Sequence, residues 1–223
     1  APWGIPRGAG LASSSALTVA IALALAVANR LPLAGADLAE ACSRAEWYVG
    51  TRGGIMDHFA SLIARRSAAL FLDCRRDRVA GTYSWRYVPL PADVALVVID
   101  SGQRHCNTTP LYNTRVAEVQ VGAALLSRRY PHVTHLRDAE GLSWDACEEL
   151  LPERITVAEL EARGVSLPVL LKAGIIPDDT TLCIRARCRH VITENARVLE
   201  AAAALEAHDL TRAFSVMTCR QRM

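Results

Sequence analysis

A glycine- and serine-rich stretch, IPRGAGLASSSAL, occupies residues 5–17 and could bind an anion. Gly8 and Gly10 permit a flexible loop, and the serines at 13–15 stand where a long apolar run begins. The free N–H groups and the positive dipole end at the start of a helix attract phosphate, and a serine hydroxyl can reach a phosphate-bound magnesium ion. The stretch therefore indicates a phosphate loop or, more simply, a serine-capped turn. It is not a Walker A loop, because G-x-x-x-x-G-K-[ST] is absent.

Two acidic side chains follow this loop at positions where a carboxylate could do chemistry. Asp57 comes directly after Gly53-Gly54 and an apolar pair in GGIMDHF. It could orient or deprotonate a hydroxyl nucleophile, or it could simply cap a helix. Glu46 falls at the border of an apolar helix face, where it is either a partly exposed rim residue or a magnesium ligand.

Composition narrows the class of protein. The chain has 223 residues and a net charge of +2, which gives no case for a nucleic-acid or anionic-membrane partner. It has seven cysteines and no C-x-x-C, so we expect free thiols in a reducing, cytoplasmic setting. The apolar run at 16–28 is shorter than the roughly 20 residues that span a bilayer, and no signal-peptide pattern precedes it.

Hydrophobic periodicity predicts an α+β fold, because helices come first, then strands, then mostly helices. Helices are expected at 16–29, 37–49, 58–66, 112–128 and 181–206, with a last one from about 209 and short pieces within 143–178. The first helix is apolar on every face and is predicted to be enclosed by other elements. Strands are expected at 68–73, 82–90 and 93–100. A Pro-Leu-Pro near 91 predicts two domains, 1–91 and 92–223.

Five stretches, in order, make the chain resemble the galactokinase branch of the GHMP small-molecule kinases. The phosphate loop P-x-G-x-GLSSSA of that family corresponds to PRGAGLASSSA, and the catalytic GIMDQF corresponds to GIMDHF. An acid eleven residues before the aspartate is matched by Glu46. A buried strand followed by R/K-H and Y-x-x-R corresponds to VVIDSGQRH and LYNTR, and RARHVVxEN-x-RV corresponds to RARCRHVITENARV.

The resemblance implies a Mg²⁺- and ATP-dependent sugar 1-kinase, with catalysis mainly by positioning and charge neutralisation. Asp57 would lie beside the anomeric hydroxyl of galactose, Gly54 would admit the sugar to the backbone, and Tyr112 would contact the sugar. Ser14 and Glu46 would hold magnesium. The ATP phosphates would lie against five residues of the loop: Gly8, Gly10, Ser13, Ser14 and Ser15. We expect the serine turn and Asp57 to face each other across a gap about one phosphoryl group wide.

The resemblance also implies a fold, and this sequence differs from the family motifs at several places. The first domain would be of the ribosomal-protein-S5-domain-2-like type and the second ferredoxin-like, both incomplete, because the GEHTDY and GGGFGG motifs of the family are absent. Ala12 replaces a loop serine and His58 replaces a glutamine. We therefore expect a fragment of weak stability. Another aldose, such as arabinose, remains open as substrate, and so does a sugar- or ATP-binding sensor without turnover.

Overall fold

The computed structural model describes residues 4–33, 35–50, 52–77, 79–100, 102, 110–165, 171 and 175–218. They divide between two compact units, one of Ala1–Thr108 with Ala202–Thr211, the other of Thr109–Ala201 with Arg212–Met223. Helices and short antiparallel sheets occur together, so the predicted mixture of helix and strand is confirmed. No helix among the described residues is long and apolar enough to cross a membrane.

The first unit begins with three helices that pack on one another, α1 (Ser13–Ala28), α2 (Gly35–Glu46) and α3 (Met56–Ile63). A 3₁₀ turn, Trp47–Val49, extends α2. Val19 of α1 packs with Leu38 and Cys42 of α2 in a small core. Burial of these apolar side chains holds α1 beside α2, and that contact determines where the start of α1 meets the end of α2.

A hairpin of β1 (Ala68–Leu72) and β2 (Trp85–Pro89) completes this unit, with Ala68 opposite Pro89 and Leu72 opposite Trp85. Phe59 of α3 is buried and meets the rings of Tyr83 and Trp85 edge to face. The Tyr87 hydroxyl donates to the carbonyl of Ile63 at 2.6 Å. These contacts anchor α3 on the hairpin and hold its first turn against α2.

Two predictions for the first unit are wrong. Residues 93–100 are not a strand: they pair with no described strand, and Leu96, Val97, Val98 and Ile99 are 71–84% exposed. Helix α1 is not enclosed, since Leu17, Ile21 and Leu25 are more than half exposed. Both predictions came from apolar composition, which indicates a tendency to be buried. Burial also needs a partner surface, and α2 and α3, which pack against α1, leave these side chains exposed.

The second unit is built around α4 (Pro110–Ser127) and α7 (Ile184–Glu206), the last turn of which belongs to the first unit. Between them lie α5 (Trp144–Glu148), α6 (Val157–Ala162) and a two-residue pairing of β3 (Ile155–Thr156) with β4 (Thr181–Leu182). A final helix is α8 (Leu210–Thr218). Gly122 lets α4 approach α7, because a Cβ there would lie 2.1 Å from Cys188 Sγ.

Candidate functional site

The glycine- and serine-rich stretch forms a loop that ends at the start of α1. Gly8 and Gly10 have positive φ angles of 67° and 72°, and Ala12, the N-cap residue, is also left-handed at 53°. No side chain caps the helix, and its first turn carries no acid. Because the first N–H groups of a helix have no acceptor within the helix, this terminus can receive an anion.

Glu46, the last residue of α2, reaches the first turns of α1. Its Oε2 lies 3.3 Å from Ser15 Oγ and its Oε1 lies 3.3 Å from Thr18 Oγ1, both hydroxyls donating. Its side chain is 20% exposed. Three oxygen-bearing side chains therefore converge beside the helix terminus, at a place that solvent can still reach.

Of the three loop serines, Ser15 is the one in contact with Glu46. Ser15 is 3% exposed, whereas Ser14 is exposed and its carbonyl accepts a hydrogen bond from Thr18 at 3.0 Å. Consecutive helical residues point about 100° apart, so Ser14 and Ser15 cannot both face α2. Ser13 is partly buried at the helix start.

His58 is a member of this cluster for which sequence reasoning gave no role. It lies on α3, is 1% exposed, and its Nε2 is 3.4 Å from Glu46 Oε2. Neither ring nitrogen has a hydrogen-bond partner. The replacement of the motif glutamine by histidine was the only sequence signal, while its burial against Glu46 is a tertiary effect.

Asp57 precedes His58 in the first turn of α3 and is exposed. Its side chain is therefore open to a ligand from solvent rather than held among apolar neighbours. Gly54 is also exposed, and its carbonyl accepts from Ser43 Oγ at 3.3 Å. Neither Gly53 nor Gly54 has a positive φ, whereas Gly50 has a φ of 98°.

Tyr112 lies near the start of α4 in the second unit and is 40% exposed. The structure thus brings Ser15, Glu46 and His58 into contact within the first unit and leaves Tyr112 in the other. Arg104 and His105, the R/K-H pair of the resemblance, lie outside the described residues.

The donors around Glu46 fit a magnesium ion. Carboxylate and hydroxyl oxygens are hard ligands, and Mg²⁺ in phosphoryl-transfer sites takes one or two carboxylates and completes its shell with phosphate and water. No group of three or more His, Cys, Asp or Glu suited to a metal occurs in the described part of the chain, and such a site does not need one. Glu46 also affects a neighbouring group. The pKa of the Cys42 thiol is raised mainly by burial and to a lesser extent by the Glu46 carboxylate.

Comparison with known proteins finds similarity in the part of the chain that holds these residues. Residues 4–65, which include the loop, Glu46 and Asp57, match the GHMP kinases N terminal domain. The chain is 37% identical over 207 residues to a galactokinase of Roseiflexus sp. (strain RS-1), covering 92% of this chain and 44% of that protein. It is 34% identical over 214 residues to a galactokinase of Chloroflexus aurantiacus, covering 96% and 46%.

The chain therefore spans less than half the length of these curated relatives. Residues 4–65 are thus similar to the GHMP kinases N terminal domain, and most of the chain is similar to part of these curated galactokinases.

Proposed function

We propose that this chain carries the phosphate- and metal-binding part of an ATP-dependent sugar 1-kinase that acts on galactose in the cytoplasm. The observation that supports this most strongly is the contact of Ser15 with Glu46 at 3.3 Å, beside a helix terminus that lacks any acid. A carboxylate next to an anion site repels phosphate unless a cation lies between them. A metal–triphosphate complex satisfies both groups at once.

In this proposal the ATP phosphates lie against the loop and the start of α1. They contact the backbone N–H groups of Gly8 and Gly10, and the backbone N–H groups and hydroxyls of Ser13, Ser14 and Ser15. Glu46, with Ser14 or Ser15, holds Mg²⁺, which when bound neutralises charge on the phosphate oxygens. The metal role of Ser14 rests on the family motif, and that of Ser15 rests on its contact with Glu46.

The acceptor is the anomeric hydroxyl of the sugar. Asp57 takes its proton, the hydroxyl oxygen bonds to the γ-phosphorus, and the bond from that phosphorus to the β–γ bridging oxygen breaks to release ADP. Gly54 and Tyr112 contact the sugar. The exposure of Asp57 and Gly54 is compatible with a substrate that enters from solvent.

We also propose the domain assignment. Residues 1–91 correspond to the N-terminal GHMP kinase domain, of ribosomal-protein-S5-domain-2-like type, and 92–223 to part of the ferredoxin-like C-terminal domain. The match of residues 4–65 to the N-terminal domain supports the first half of this assignment.

The test is ADP release by the 223-residue chain with Mg-ATP and a panel of aldoses. We expect turnover with galactose, and an Asp57→Asn variant that loses 10²- to 10⁴-fold in rate, as expected for removal of a general base. Asp93→Asn, at an exposed position outside the site, is the matched control and keeps the parent rate.

The alternatives give different outcomes in the same assay. A preference for arabinose over galactose would identify arabinose as the substrate. Mg-ATP binding without ADP release on any sugar fits a sensor and also a nucleotide-binding part of a kinase that does not turn over by itself. An Asp57→Asn variant at full rate removes the role given to Asp57, and a chain that binds no nucleotide contradicts the proposal as a whole.

A further inference from the structure

His58 is buried more deeply than any other polar side chain at the site and has no hydrogen-bond partner of its own. It is 1% exposed, and both Nδ1 and Nε2 are without hydrogen-bond partners. A buried donor left unpaired destabilises the fold. A histidine retained in such a place needs a compensating interaction, and the nearest charged group is the carboxylate of Glu46, 3.4 Å from Nε2.

The three contacts to Glu46 are not equivalent. Thr18 has one hydroxyl hydrogen and two acceptors, Ser14 O at 3.0 Å and Glu46 Oε1 at 3.3 Å, so the shorter bond competes with the carboxylate. Ser15 Oγ lies 3.3 Å from Oε2. The imidazole has no competing acceptor, and its ring has only two side-chain torsions to order. It is also the most deeply buried of the three groups that face Glu46.

The charge of Glu46 is otherwise unbalanced. Among the described residues, Glu46 forms no ion pair with an arginine or a lysine, and its neighbours are two hydroxyls and the imidazole. A carboxylate that no arginine or lysine neutralises keeps its charge available for a cation. An Arg at the position of His58 would instead neutralise it.

We propose that His58 is a positioning residue: its buried imidazole, with Nε2 3.4 Å from Glu46 Oε2, holds the Glu46 carboxylate in the orientation that receives the metal of the metal–nucleotide complex. This inference rests on the proposed function and deepens it. Because His58 directly follows Asp57 in α3, the same contact ties the metal carboxylate to the helix that carries the proposed general base. Groups that orient a metal ligand typically change metal affinity by 10- to 100-fold when removed.

The experiment measures Mn²⁺ binding to the 223-residue chain, by electron paramagnetic resonance with a non-hydrolysable ATP analogue present. His58→Leu removes the donor and should weaken Mn²⁺ binding 10- to 100-fold. His58→Gln restores an N–H donor and should bind within about threefold of the parent, since the lost contact is replaced by a similar one. His58→Met is a second apolar replacement, and circular dichroism verifies that each variant is folded.

Ser43→Ala is the matched control. Ser43 is buried on α2 and donates to Gly54 O at 3.3 Å, so its loss removes one hydrogen bond between α2 and the segment before α3 without touching Glu46. It should lower the midpoint of urea unfolding and leave Mn²⁺ affinity unchanged. A purely structural role for His58 predicts instead that its variants behave like Ser43→Ala.

A double-mutant cycle isolates the route through Glu46. In a Glu46→Gln background, His58→Leu should weaken Mn²⁺ binding no further. Full additivity, or parental affinity in a folded His58→Leu or His58→Met, overturns the inference while the proposed function stands. A parent chain that binds no Mn²⁺–nucleotide contradicts the proposed function, and the metal role of His58 with it.

Discussion

Glu46 and Glu118 are both carboxylates at helix contacts, but their surroundings differ in charge. Glu118, on α4 in the second unit, is 1% exposed and pairs with Arg115 and Arg187 at 2.9 and 3.3 Å. It also accepts from the backbone N–H of Cys183 at 2.8 Å. Glu46 is 20% exposed and is met by hydroxyls and an imidazole.

The difference separates a carboxylate that supports the fold from one available to a ligand. Two guanidinium groups and an amide satisfy Glu118 inside the protein, so it has nothing to offer a cation and cannot reach one. Glu46 is oriented but not neutralised among the described residues. A carboxylate can bind a metal ion readily when its orientation is fixed but its charge is not already paired. If arginines were paired with it, the metal ion would have to displace them.

The largest effect should follow from truncating Glu118. Glu118→Ala removes the counter-charge of Arg115 and Arg187, whose side chains are 39% and 27% exposed, and leaves the Cys183 N–H without its acceptor, so we expect a loss of about 2–3 kcal/mol in the free energy of unfolding. Glu46→Ala, at a partly exposed position, should cost about 1 kcal/mol or less. Urea denaturation of both variants measures the contrast.

Equal losses for the two variants would contradict the distinction drawn between them. A second check is Glu118→Gln, which keeps the side-chain volume and an oxygen for the Cys183 amide but removes the charge. It should fall between the parent and Glu118→Ala.

A smaller effect concerns Cys188, whose Sγ lies beside Gly122 in the same unit. Burial, aided by Cys147 and Glu118, raises the pKa of this thiol to about 12. The unfolded thiol titrates near 8.5. The raised pKa therefore stabilises the fold fully below about pH 8.5, and that contribution is lost as the pH rises toward 12.

We expect the parent to lose about 2 kcal/mol more stability between pH 8 and pH 10 than Cys188→Ala does. The measurement is the free energy of unfolding of both proteins at the two pH values. The difference between them isolates Cys188 from the other thiols. Parallel pH dependence would show that Cys188 ionises as readily in the folded chain as in the unfolded one.

Much of the local structure could be predicted from sequence because it depends on local pattern. Helices α1, α4 and α7 begin and end within about three residues of the predicted bounds. The strands predicted at 68–73 and 82–90 are found as β1 and β2. The placement of Glu46 at the edge of an apolar face also matches its partial exposure.

The failures came where local pattern does not decide. Residues 13–15 are all serine, so the sequence does not indicate which of them faces Glu46. That depends on the rotation of α1 about its axis, which is fixed by its packing on α2. The apolar run 94–99 has the composition of a strand, but a strand needs a neighbouring strand to pair with. None of the described strands pairs with this run. His58 has a role only through a tertiary contact with a residue twelve positions away.

The most direct test of the central claim is a calorimetric titration of the parent chain and of Glu46→Gln with Mg-ATP. Glu46→Gln keeps the size of the side chain and removes the charge. We expect the parent to bind Mg-ATP and the variant to bind at least tenfold more weakly, a difference of about 1.4 kcal/mol. Equal affinity of the two proteins for Mg-ATP would contradict the claim that Glu46 is the metal carboxylate of this site.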